Sequence, residues 1–267
     1  MNETPDDLVP MPELRRLPGT PRPRAEVLRE YEEYVRKIRS NCPADQRILV
    51  DIFWPSPEKL YRWRVQLDCE CVIETLTCGD KKLPIDNRWT NGMGFPLPAG
   101  QVICVEHRKD GQAPYREIVK WGVQKIHDFP ADPVEPQDDW DPETWKKVRR
   151  PEPHQAAFWS VTFSCGHQDE VCVGDVDWKP GDEPRRVTPK RLAELRAEIE
   201  EYRASHPDCK YESKEDREHE DRYLDRGCPR PDPEDRCYSC LSTRQIVAFQ
   251  RVGWLVTKPK PTAPPTP

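Results

Sequence analysis

Trp63-Arg64-Val65-Gln66-Leu67-Asp68-Cys69-Glu70-Cys71 is echoed later in the chain by Trp159-Ser160-Val161-Thr162-Phe163-Ser164-Cys165-Gly166-His167. Side chains two apart on a strand share a face. Trp63, Val65, Leu67, Cys69 and Cys71 therefore project together, as do Trp159, Val161, Phe163, Cys165 and His167, while the intervening residues face the other way. In both copies an apolar face runs straight into a pair of metal-binding groups. Two such groups on adjacent same-face positions converge only if the chain bends, so a turn is expected at Glu70 and at Gly166.

Each copy is followed by a second pair: Cys104-Val-Glu-His107 after the first and Cys237-Tyr-Ser-Cys240 after the second. A C-x-x-H or C-x-x-C turn presents both groups inward. A further match, Arg116-Glu-Ile118-Val119 with Arg244-Gln-Ile246-Val247, extends the duplication. The pattern predicts two zinc ions, one held by Cys69, Cys71, Cys104 and His107, the other by Cys165, His167, Cys237 and Cys240. Four protein ligands close the coordination sphere and leave no place for a catalytic water. Cys172, Cys209 and Cys228 are alternative ligands in the second set, and Cys42 and Cys78 read as small apolar residues.

The composition fits modules stapled by metal. The 267 residues are 35% hydrophobic and 34% charged, with 31 prolines, so small cores joined by linkers are expected rather than one large body. Eleven cysteines, an acidic start and no apolar run of membrane-spanning length point to a reducing, cytoplasmic setting and no membrane. A formal net charge of -6 disfavours loose binding to nucleic acid. The arm from Arg15 to Arg39 is locally basic nonetheless.

Along the chain we expect an unstructured tail over 1–23 and an amphipathic helix over 24–41, with Val27, Leu28, Tyr31, Val35 and Ile38 on its apolar face. A first β-rich module spans 48–127, with strands at Ile48–Trp54 and Tyr61–Cys71 and a closing strand at Tyr115–Ile126. An acidic linker covers 128–157, with a short helix capped by Asp141 and opened by Pro142. The second module spans 158–257 and carries a helical hairpin inserted at 188–228. Its first helix is capped by Thr188 with Leu192, Leu195, Ile199 and Tyr202 in one stripe; its second ends before Gly227. A proline-rich tail covers 258–267. The fold class is α+β.

The paired ligands on hairpin ends resemble a zinc ribbon, present in tandem. The W-x-V-x-F-x-C-G-H lead with a later C-x-x-C is similar to small zinc-binding proteins of actinobacteria and their phages. The resemblance covers about 50–127 and 158–257. It implies docking rather than catalysis, since zinc ribbons commonly serve as binding modules in nucleoprotein machines.

The leading expectation is thus a non-enzymatic adaptor or regulatory protein whose partner is a protein or nucleoprotein complex. The alternative is direct nucleic-acid contact through Arg15, Arg16, Arg22 and Arg24 together with Arg108, Lys109, Arg116 and Lys120. A zinc deaminase is a weaker third reading. Its glutamate would be Glu170, three residues past His167 rather than two, and Arg236 stands before Cys237 where that motif has proline. A redox role for Cys237 and Cys240 is weaker still, because the matching pair in the first copy contains a histidine. The sequence fixes no oligomeric state.

Overall fold

The computed structural model describes residues 12–107, 111–136, 140–207 and 213–257, with the side chains of residues 51 and 52 left aside. Arg108, Lys109, Cys209 and the 258–267 tail lie outside the described residues. The chain forms two compact units, one made of residues 1–91, 96–109 and 242–267, the other of 92–95 and 110–241. Each holds one sheet, and helices complete a mixed α+β architecture.

In the first unit, strand β1 (Glu13–Leu14) precedes helix α1 (Arg24–Asn41) and the short helix α2 (Arg47–Phe53). Strands β2 (Leu60–Leu67) and β3 (Val72–Cys78) then form an antiparallel hairpin, and β4 (Gln101–Ile103) leads to Cys104. The second unit begins its sheet with β5 (Tyr115–Phe129) and continues through α3 (Pro142–Val148) to the hairpin of β6 (His154–Phe163) and β7 (Gln168–Cys172). Helices α4 (Pro189–Ser205) and α5 (Lys214–Asp225) follow, then β8 (Glu234–Arg236) and α6 (Tyr238–Ser242). The last strand, β9 (Thr243–Trp254), returns to the first unit.

That return corrects one expectation. Tyr115–Ile126 does not close the first hairpin; as β5 it pairs antiparallel with β6, setting Ile118 opposite Phe163. The first hairpin is closed instead by β9, with Leu67 opposite Ile246 and Val65 opposite Phe249. The short strands before the second ligand pairs follow the same exchange, β4 pairing with β9 and β8 with β5. Backbone bonds repeat the correspondence: Asp68 N–H donates to the Gln245 carbonyl and Ser164 N–H to that of Glu117, each at 2.8 or 2.9 Å. Each unit therefore takes its hairpin and ligands from one half of the duplicated pattern and its closing strand from the other.

Packing follows the alternation of the strands. Trp63, Val65 and Leu67 are buried with Val102, Ile246 and Phe249, and Cys69, Cys71 and Cys104 belong to the same cluster. In the second unit Trp159, Val161 and Phe163 pack with Ile118, Val171 and Cys237, and Cys165 and Cys240 lie against them. The other face of β2 is also covered. Arg64 is buried and donates to the carbonyls of Leu17, Pro18 and Gly19, and Arg62 donates to that of Arg22. Residues 12–23, expected without fixed structure, are thus held down over this face, with β1 parallel to β9 and Leu17 buried.

The stretch expected as a strand over Ile48–Trp54 is helical up to Phe53, continuing a 3-10 turn over Ala44–Gln46 after Pro43, and Val50 is buried. Local caps work as expected elsewhere. Asp141 accepts from the backbone of Glu143 and Thr144, Thr188 from that of Arg191, and α5 opens on a Ser213–Asp216 capping box. Arg203 bridges to Glu220 and Asp221, and Arg196 to Asp225, joining α4 to α5 as a hairpin. The stripe on α4 is only partly covered, and Tyr202 is exposed. Among the described residues no helix is long and apolar enough to cross a membrane.

Candidate metal centres

The turns that deliver the first ligand pairs are alike. Leu67 N–H donates to the Cys71 carbonyl and Glu70 N–H to that of Leu67; Phe163 N–H donates to the His167 carbonyl and Gly166 N–H to that of Phe163. The central residue is left-handed in both, Glu70 at φ 68° and Gly166 at φ 80°. This is the bend that convergence of the ligands requires, made by glycine in one copy and by a residue with a side-chain penalty in the other.

The second pairs enter from the closing side of each sheet. Cys104 N–H bonds the Ser242 carbonyl and Cys237 N–H that of Pro114, both at 2.8 Å, so each knuckle is anchored to the exchanged segment. The result brings Cys69, Cys71, Cys104 and His107 into one group and Cys165, His167, Cys237 and Cys240 into another, with one ligand atom from each residue within 4.8 Å of all the others. Cys172 is exposed and Cys228 buried, and neither belongs to a group.

The separations match a metal tetrahedron. Four ligands at the bond lengths of zinc to sulfur and nitrogen stand about 3.8 Å apart sulfur to sulfur and about 3.6 Å sulfur to nitrogen. Cys69 and Cys104 Sγ are 3.8 Å apart, and Cys165 and Cys237 Sγ 3.7 Å. His107 Nδ1 lies 3.6 and 3.4 Å from the sulfurs of Cys71 and Cys104. His167 Nδ1 lies 3.3, 3.5 and 3.3 Å from those of Cys165, Cys237 and Cys240. The donor sets fit zinc through three thiolates and Nδ1 of one histidine.

The thiols in each group perturb one another strongly. Burial, with Cys104 and Cys69 alongside, pushes the Cys71 thiol up to about 12. Burial also raises Cys104, but hydrogen bonding from His107 and its neighbouring thiols outweighs it and brings that thiol down to about 7. In the second set Cys237 and Cys240 hold Cys165 far below the usual thiol range, while Cys165, Cys240 and burial drive Cys237 far above it. Burial lowers His167, yet Cys165 and Cys240 carry it up to about 9. A metal cation among such thiols would favour their thiolate forms together.

The carboxylates that a deaminase would need are engaged elsewhere. Glu74 pairs with buried Arg62 at 2.8 Å and Glu170 with Lys125 at 2.6 Å. Two residues that matter here escaped the sequence reading, Arg62 and Arg64. Their signal was two arginines flanking a core tryptophan on a strand, which need carbonyl or carboxylate partners if both faces are covered.

Two groups of three cysteines and one histidine that could hold two metal ions are what the structure gives. No protein-family model matches the chain, and neither a curated protein nor a solved structure shows detectable similarity to it.

Proposed function

We propose that this is a non-enzymatic zinc-binding adaptor or regulatory protein, built from two zinc-ribbon-like modules whose metals are structural. The observation that carries this reading is the closed set of four ligands in each unit, packed into the core that the sheet's own tryptophan, valine and leucine or phenylalanine build. Zinc held this way supplies folding energy, on the order of 10 kcal/mol for small domains, and exposes no position where a water could be activated. The ion-paired state of Glu74 and Glu170 supports the same reading, since neither is free to shuttle a proton.

The nucleic-acid reading loses support from the basic arm. Arg22 is ion-paired with Glu26 and Glu30, and Arg15 with Glu13. Arginines already paired within the chain release few counterions on meeting a phosphate backbone.

Cobalt substitution tests the proposal. Cobalt in two closed thiolate-rich tetrahedra gives visible bands that added azide leaves unchanged. A spectrum that shifts with azide would reveal an open coordination position and return the enzyme reading. Titration of the zinc-loaded chain with DNA and RNA oligonucleotides at physiological salt is expected to show no binding.

A further inference from the structure

Each second ligand pair is placed by a short strand that leans on the start of a closing strand. Among the described residues β4 pairs with β9 alone, Ile103 opposite Thr243, and Cys104 N–H carries the ladder on to the Ser242 carbonyl at 2.8 Å. Likewise β8 pairs with β5 alone, Arg236 opposite Tyr115, and Cys237 N–H reaches the Pro114 carbonyl at 2.8 Å. The position of Cys104 therefore follows the first residues of β9, and that of Cys237 the first residues of β5.

The first residues of β9 emerge directly from the other ligand group. The five-residue helix α6 carries Cys240 of the second group and, at its last position, the Ser242 carbonyl that holds Cys104 of the first. Helices this short are marginal in water by themselves. Within α6 the turn is closed by Cys240 N–H bonding the Cys237 carbonyl at 3.1 Å, and both of these cysteines are ligands of the same group. In the reverse direction the link is longer, since Pro114 follows His107 only after six intervening residues.

We propose that the two metal sites are coupled through α6, so that filling either strengthens the other and the chain passes between an empty and a doubly loaded form. This rests on the zinc reading above. With Cys237 and Cys240 bound to one ion, α6 is clamped, and Ser242 and Thr243 are set in the place that β4 and Cys104 need. The effect is reciprocal by thermodynamic linkage: Cys104 fixed by its own ion holds Ser242, and Ser242 holds α6 in the turn that presents Cys240. Packing of Ile246 and Phe249 against Trp63 and Val65 also positions β9, independently of any metal, and opposes the coupling to the extent that it suffices alone.

Zinc titration of the metal-stripped, reduced full chain against a competing chelator of known affinity tests this. The unaltered chain gives the overall constant for two ions. Chains carrying Cys69→Ser with Cys71→Ser, or Cys237→Ser with Cys240→Ser, give the constant of the one site that remains. The overall constant is expected to exceed the product of the two single-site constants by about tenfold or more. Tyr238→Gly, at an exposed position of α6 that is no ligand, should bring the two closer together. Native mass spectra of the unaltered chain at half loading give a second reading that needs no variant. The singly loaded form should fall below half of the population, the least that two independent sites of any relative strength allow. Constants that simply multiply, with at least half of the chain singly loaded, overturn the coupling and leave the zinc reading standing. A coupling that Tyr238→Gly does not reduce overturns the assignment to α6. A chain that binds no zinc overturns both readings.

Discussion

Leu67 lies directly across its sheet from Ile246, although the duplicated pattern makes Ile118 the isoleucine that follows Leu67 in its own copy. Phe163, which corresponds to Leu67, lies across from Ile118. The two pairings together define a reciprocal exchange of closing strands within one chain. Hairpin and ligands stay local, while the strand that completes each core comes from the other half.

The exchange predicts how the chain tolerates cutting. A protease site placed after exposed Val134, in the segment joining the halves, should be cleavable without loss of fold or metal. Each half expressed alone should fail to fold, because residues up to 134 lack β9 and those beyond it lack β5. Co-expression should restore a stoichiometric complex. A half that folds and binds metal by itself would contradict the pairing.

Corresponding glutamates should differ in worth. Glu74 is 11% exposed and its partner Arg62 4%, so Glu74→Ala strands a buried guanidinium and should cost about 3 kcal/mol or more. Glu170 pairs with a Lys125 side chain that is 56% exposed, and Glu170→Ala should cost less than about 1 kcal/mol. Urea denaturation of the two variants separates them.

The left-handed turn residue can be exchanged between the copies. Glu70→Gly relieves a side chain at φ 68° and should stabilise the chain by about 1 kcal/mol, whereas Gly166→Ala should destabilise it by a similar amount. Thermal unfolding monitored in each variant reads both signs.

The helical hairpin is anchored through its second helix. Leu224 is buried, and His219 stacks on Tyr115 with ring centroids 3.7 Å apart, while α4 buries no residue. Leu224→Ala should cost about 2 to 4 kcal/mol. Leu192→Ala or Ile199→Ala should each cost under about 1 kcal/mol. Equal losses at all three positions would mean that α4 is packed more tightly than its exposure indicates.

What could be read from the sequence was what is local. Asp141-Pro142, Thr188-Pro189 and Gly227 mark helix ends by their own chemistry, and the two ligand pairs sit on turns a few residues long. The exchange was not legible, because Arg116-Glu-Ile118-Val119 and Arg244-Gln-Ile246-Val247 are nearly the same sentence. Nothing within either stretch says which hairpin it joins; only long-range packing decides. Ile48–Trp54 misled for a related reason: its β-branched residues favour a strand, but the turn after Pro43 leads directly into a helix over Arg47–Phe53. Residues 12–19 look like a loose tail until Arg64 is seen to need their carbonyls.

The most direct test of the account is metal stoichiometry by native mass spectrometry of the full chain purified without chelators. Two zinc ions per chain are predicted, falling to one in Cys104→Ser and to one in Cys237→Ser. A chain that stays folded with one zinc or none, or a single substitution that removes neither ion, would contradict the claim that each unit is closed around its own metal.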